Sequence, residues 1–126
     1  MVELIKKQHL HNPEEKTADV YIDSNKIGEV TYNIPDDKSA GYIKDIWINE
    51  KFRGIHLSQK IISQVVSDMK CKGLSKVELH AISPLAKKVW IPMGFKTKKI
   101  LYKNQKDKET HLMEMNLNSV VSICIE

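Results

Sequence analysis

Two cysteines, four prolines and five glycines are all that 126 residues contain of the residue types that staple or break a chain. Cys71 and Cys124 could close one bridge, but one pair is no disulfide scaffold, and a reducing cytoplasm is the simpler setting. Long apolar runs are missing too. The longest, such as Val120-Val121 and Ile123-Cys124-Ile125, fall far short of the roughly 20 residues of a membrane span, so no membrane association is expected. The first six residues, Met1 to Lys6, carry Glu3 early and lead to no small-residue cleavage site, so no export signal is expected. Aromatics are only 6% of the chain, and no aromatic ladder accompanies the basic residues as a single-strand binding platform would require. His9, His11 and two cysteines do not make a zinc set, so no metal is expected. Neither sign of charge dominates: 20 Lys and Arg against 16 Asp and Glu leave +4, which favours anionic partners mildly and permits nucleic acid without indicating it.

What is present is a globular composition, 41% hydrophobic and 29% charged, of a size that one core can organise. A single domain over residues 1–126 is expected. Val2-Glu3-Leu4-Ile5 reads as a first strand. Ala18–Asp23 and Ile27–Asn33, around the polar Ser24-Asn25-Lys26, read as a hairpin, and Tyr42–Ile48 as the next strand. The period then changes. Leu57, Ile61, Ile62, Val65, Val66 and Met69 form one apolar stripe on a helix, with Gly73 placed to stop it. Val77–Ala81 is a short strand. A helix between two strands predicts a crossover, which makes those strands parallel neighbours. Ser83-Pro84 opens a second helix toward Ile91, broken at Pro92. Lys98–Tyr102 and the alternating His111–Leu117 follow as strands, and Val120–Ile125 could add another. The order is β-β-β-β-α-β-α-β-β, an α/β (α+β) mixed sheet with helices against it.

The stretch from Asn49 to Ser58 joins a strand to the amphipathic helix. The first amides of a helix lack internal acceptors and carry partial positive charge, so a diphosphate can collect several of their bonds at once. Gly54 lets the chain turn closely around such a group, and Arg53 can add charge-assisted bonds. A turn of this kind can equally bind nothing.

Ile46-Trp47-Ile48-Asn49-Glu50-Lys51-Phe52-Arg53-Gly54, followed 29 residues after Gly54 by Ser83 through Phe95, resembles the GNAT superfamily of acyl-coenzyme A-dependent N-acyltransferases. The resemblance spans residues 18–117. It implies a GNAT-like, mostly antiparallel sheet with a central splayed parallel pair. It implies that Arg53, Gly54, Ile55, His56, Leu57 and Ser58 hold the coenzyme A diphosphate. Ile46, Trp47 and Ile48 would flank the pantetheine arm, with Ser83, Lys87 and Trp90 on the second helix beside it. The Ile48 backbone N–H is then the group to polarise the thioester carbonyl. Three positions depart from the family pattern, the mildest being Ser58 at its final Gly/Ala, whose hydroxyl could serve a phosphate or bond to the backbone. His56 stands at the inner glycine, where it could take a helical conformation and bond a phosphate with its ring, or narrow the pocket. Trp90 stands where many members carry a tyrosine that protonates the departing thiolate, and an indole cannot supply that proton.

For a base, the sequence offers Asp45 near the middle of the fourth strand and His80 at the end of the fifth. Strict alternation groups Asp45 with Ile43 and Trp47 unless a bulge near Trp47 intervenes, and His80 could instead form a surface pair with Glu78. Tyr42 is a further candidate, though an unperturbed phenol is a poor base at neutral pH. Residues 8–17 are too few for the two helices that the family places beside the acceptor pocket. The acceptor side is therefore expected to be open or completed by a second subunit, as in a homodimer, and suits a protein or peptide amine. The expected activity is transfer of an acetyl group from acetyl-CoA to a primary amine, in the cytoplasm. The alternative is a non-catalytic acyl-CoA-binding or protein-interaction module. The six lysines between Lys96 and Lys108 read as a solvated loop.

Overall fold

The computed structural model describes residues 2–7, 13–53, 56–82, 86–103 and 109–118. Its elements are β1 (Val2–Lys7), β2 (Glu15–Ile22), β3 (Asn25–Asn33), β4 (Gly41–Ile48), α1 (Leu57–Cys71), β5 (Lys76–Ile82), β6 (Lys96–Lys103) and β7 (Glu109–Asn116). The seven strands form one sheet in the order β1-β2-β3-β4-β5-β7-β6. Only β4 and β5 run parallel, as the crossover through α1 requires. The expected mixed sheet with a central parallel pair is therefore the observed one. Val120–Ile125, the expected extra strand, lies outside the described residues, as does the tip of the lysine-rich loop at 104–108.

Asp23 and Ser24 make the tight β2–β3 turn, both with positive φ, 49° and 69°. This is the turn whose twist matches a hairpin. The turn therefore precedes Asn25 and Lys26, which the sequence pattern had placed in it and which instead begin β3. Asp, Ser and Asn all favour turns, so composition alone could not choose among them.

α1 forms because its apolar residues recur on one face. All six stripe residues, Leu57, Ile61, Ile62, Val65, Val66 and Met69, are buried, each contributing about 2 kcal/mol of gross burial energy. They cover one face of the sheet, where Ala18, Val20, Val30, Tyr32, Ile43, Val77, Leu79 and Met113 complete the core. Gly73 ends the helix with φ 92°, and Leu74 N–H closes back on Met69 O at 3.1 Å. Cys71 at the helix end is not a free thiol, and Cys124 lies outside the described residues. The opposite face of the sheet carries no helix among the described residues. No described helix is long and apolar enough to cross a membrane.

Under α1, the Tyr32 hydroxyl donates to Asp68 Oδ2 at 2.9 Å, and Lys6 Nζ reaches the same oxygen at 2.8 Å. Burial first, and the Asp68 carboxylate second, push the Tyr32 phenol above the usual tyrosine range. The folded chain then keeps a proton that the unfolded chain releases near pH 10. The stability tied to this group is intact below that pH and falls as pH rises past it, by up to about 1.4 kcal/mol per unit. Denaturant titrations on the alkaline side should show this loss in the parent chain and a shallower one in Tyr32→Phe.

Candidate active site at the strand fork

β4 and β5 pair only at Gly41–Val77, Tyr42–Glu78 and Ile43–Leu79. Beyond Ile43 the two strands part. β4 stays with β3, where Gly28 lies so close that a Cβ on it would come within 2.1 Å of Trp47 O. The Asn49 N–H donates to Ile27 O at 2.6 Å. Backbone groups alternate sides along a strand, so the N–H groups of Ile46 and Ile48 point the other way, into the fork. The Ile48 carbonyl does likewise, and Arg53 Nε donates to it at 3.0 Å.

After β4 the chain makes a 3₁₀ turn, Glu50–Phe52, capped by Asn49, whose Oδ1 accepts from Lys51 N–H. The turn carries Arg53 to the start of α1. His56 enters the helix with φ 60° and ψ 22°, a left-handed conformation. The helical conformation that His56 could take is not the one it adopts: it stands in the mirror-hand region, which glycine occupies without steric cost and a residue with a Cβ visits only rarely. The His56 side chain makes no capping bond and lines the fork cavity.

That cavity has a volume of about 540 Å³ and is walled by Ile46, Trp47, Ile48, Phe52, Arg53, His56, Leu57, Ser58, Gln59, Lys88, Val89 and Trp90. It gathers most of the residues the sequence singled out for the coenzyme. Gly54, Ile55 and Ser83 lie outside the described residues, and Lys87 is described in its backbone only. Phe52, Gln59, Lys88 and Val89 are wall residues that the sequence reading missed. Phe52 and Gln59 had a signal, standing next to Arg53 and in the first turn of the helix. Lys88 and Val89 had a misleading one. The expected second helix is, over its described part, a π-helical turn Ala86–Trp90 followed by a 3₁₀ turn Ile91–Met93. A wider turn brings consecutive residues to the wall that an α-helical period separates.

Trp90 is 9% exposed, with its ring edge-on to Phe95 at 5.6 Å between centroids. It walls the cavity with an indole and brings no proton donor stronger than an N–H.

Asp45 and His80 do not line this cavity. They lie on the face of the sheet that α1 leaves bare. The β3–β4 register slips so that Thr31 faces Asp45 while Tyr32 faces Ile43, leaving Lys44 as an extra residue. That bulge, not one near Trp47, separates Asp45 from buried Ile43 and leaves it exposed on the side of half-exposed Trp47. Lys44 itself bonds Glu15 at 2.9 Å. His80 is exposed and shares its face with Glu78, but the two do not form the expected surface pair. Glu78 Oε2 accepts from Lys98 Nζ at 3.0 Å, whereas His80 Nδ1 lies 2.5 Å from the Tyr42 hydroxyl. Among the described residues, no group of three or more His, Cys, Asp or Glu side chains is placed to hold a metal ion.

With this geometry in view, the fold has many counterparts. A Vibrio cholerae spermidine N-acetyltransferase chimera superposes with a TM-score of 0.75 at 20% identity, over 89% of this chain and 74% of that one. An Elizabethkingia anophelis GNAT family acetyltransferase with acetyl-CoA bound superposes at 0.69 and 18% identity, over 82% and 76% of the two chains. Nourseothricin acetyltransferase does so at 0.68 and 18%, over 83% and 66%. No curated protein matches the sequence. Residues 1–95 match the acetyltransferase (GNAT) family, and the chain belongs to that family of acyl-CoA-dependent N-acyltransferases.

Proposed function

We propose that this chain transfers an acetyl group from acetyl-CoA to a primary amine presented at the bare face of the sheet, such as an amine of a protein or peptide. The observation that carries the reading is the fork itself: an unpaired strand edge opening beside a cationic helix entry.

The residues present fit acetyl-CoA. The Ile46 and Ile48 amides at the unpaired β4 edge can receive a chain laid along it as a strand would be. The first-turn amides of α1, with the Arg53 and Lys88 side chains on the cavity wall, supply donors and charge for phosphates. Trp47, Val89 and Trp90 give the apolar remainder. Acetyl-CoA, when bound, supplies an activated thioester carbonyl and a thiol leaving group. The Ile48 N–H is the donor best placed to bear charge on the carbonyl oxygen, since no strand competes for it. Asp45, His80 and Tyr42 are the candidates to receive the amine proton. The structures that hold acetyl-CoA or carry acetyltransferase names share only the fold at these identities, and support the cosubstrate rather than the acceptor.

The acceptor's class follows from what is absent around the fork. Residues 8–14 alone separate β1 from β2, and no described helix covers the bare face. An acceptor carried on a larger molecule can approach such a surface, whereas a small metabolite would find few walls. Trp90 favours a second reading, in which the cavity binds acyl-CoA and turns it over slowly or not at all. Calorimetry with acetyl-CoA and thioester turnover with a panel of amines and peptides tests both. Binding with amine-dependent thiol release is the expected result. Binding with no release from any acceptor in the panel selects the second reading, and absence of binding refutes both.

A further inference from the structure

We infer, on the footing of the acetyl-transfer reading above, that Tyr42 takes the proton from the acceptor amine and that His80 stands behind it as the proton's next holder. The two side chains meet across the point where β4 and β5 part. Tyr42 belongs to the middle of the three register pairs, and His80 is the first residue of β5 beyond the last of them. Their rings are tilted at 60° with centroids 5.6 Å apart, and the hydroxyl lies 2.5 Å from Nδ1. Both face the bare side of the sheet, from which an acceptor can enter.

The chemistry of the pair sets the direction of the bond. A phenol is a far stronger acid than a neutral imidazole N–H, and an unprotonated imidazole nitrogen is a far better acceptor than a phenol oxygen. The hydroxyl therefore donates to Nδ1, and the neutral ring carries its own proton on Nε2. Burial first, and the Glu78 charge second, raise the Tyr42 phenol above its ordinary range, so it remains a donor at neutral pH. In this state the only basic lone pair of His80 is already occupied by Tyr42. A proton can reach the imidazole only through the tyrosine oxygen.

The step then balances. As the nitrogen–carbon bond forms and the carbon–sulfur bond breaks, the amine N–H proton passes through intervening water to Tyr42 Oη, because Tyr42 stands toward the start of β4 and Ile48 at its end. The tyrosine's own proton passes to His80 Nδ1. The leaving sulfur takes a proton from water, and the imidazolium returns one to water. The charged groups around the pair on this face are Glu15 of β2, Lys44 and Asp45 of β4, Lys76 and Glu78 of β5, Lys96, Lys98 and Lys99 of β6 and Glu114 of β7, with Leu112 of β7 opposite His80 in register. Lys98 bridges Glu78 at 3.0 Å and Glu114 at 3.6 Å, so their charges are partly compensated.

Thioester turnover against pH for the parent chain, Tyr42→Phe, His80→Gln and the double variant tests the relay. Each single variant should lose about 10²-fold in kcat/KM, and the double variant should lose no more than either. The histidine limb of the profile should vanish in both singles. If Tyr42→Phe stays within about threefold of the parent and keeps that limb, His80 acts directly and the relay is overturned alone. Absence of both turnover and acetyl-CoA binding in the parent overturns the transfer reading and the relay with it. Nitrogen-15 spectra of the free, folded protein give a separate reading. His80 should be the Nε2–H tautomer near neutral pH and lose that preference in Tyr42→Phe, whereas an Nδ1–H ring refutes the relay whether or not any acceptor is consumed.

Discussion

Ile48→Pro should lower kcat by about 10²–10³ while the chain remains folded. The substitution removes one N–H, one of the two that face the fork. The alternation fixed by the Asn49 N–H to Ile27 O bond places it there, so no bond of the β3–β4 ladder is lost. Proline is tolerated where its missing donor would face away from the ladder. Trp47, the residue before it, is already extended in β4, as a pre-proline residue must be. The lost donor matters most when charge builds on the carbonyl oxygen, so affinity for acetyl-CoA should fall by less than about tenfold. Stopped thiol release with near-normal calorimetric binding is the signature. An unchanged kcat removes Ile48 from the role, and a loss seen only in Ile46→Pro moves it two residues back to the other fork-facing amide.

Phe95→Ala should cost about 3–5 kcal/mol of stability, a large share of the 5–15 kcal/mol of a typical domain. Phe95 is 1% exposed, and its N–H bonds the Trp90 carbonyl at 3.1 Å. Its ring supports the Trp90 indole from behind, so the hole left by alanine opens beneath the cavity wall. The midpoint of denaturant unfolding should drop with little change in slope. The emission of the buried tryptophan should move toward that of half-exposed Trp47. Acetyl-CoA affinity should weaken as well, because the wall is no longer held. A cost below about 1 kcal/mol would mean that the site collapses around the alanine and that this packing is not what fixes Trp90.

What the sequence made legible, it did through period and spacing. The stripe from Leu57 to Met69 announced a helix with one buried face, and a helix between strands announced the parallel pair. Arg53 to Ser58 pointed to the cavity from the exposed peptide groups that begin any helix. The features that escaped depend on pairing at long range. The extra residue at Lys44 is a property of how β4 registers on β3, and no alternation within β4 reveals it. Tyr42 and His80 are 38 residues apart and meet only because Ile43 aligns with Leu79. The left-handed conformation of His56 escaped because a histidine, like any residue with a Cβ, favours the right-handed region, so its presence argues against the conformation that the turn imposes. The second helix failed for a similar reason: Pro92 and Gly94 signalled an end, but nothing local distinguishes a π-helical turn from an α-helical one.

The short run at Gly41–Ile43 has a mechanical consequence. Among the described residues it is the sole ladder between two leaves, β1 to β4 and β5 to β7, each bonded within itself by longer antiparallel runs. A swing about that hinge breaks no rung in either leaf and is resisted by three rungs and by the packing of α1 across both, so the width of the slot is a softer coordinate than the leaves themselves. How bulky an acyl group the slot admits is then governed by hinge compliance, and stiffening residues 41–43 should narrow the range of thioesters accepted before it affects the rate with the smallest.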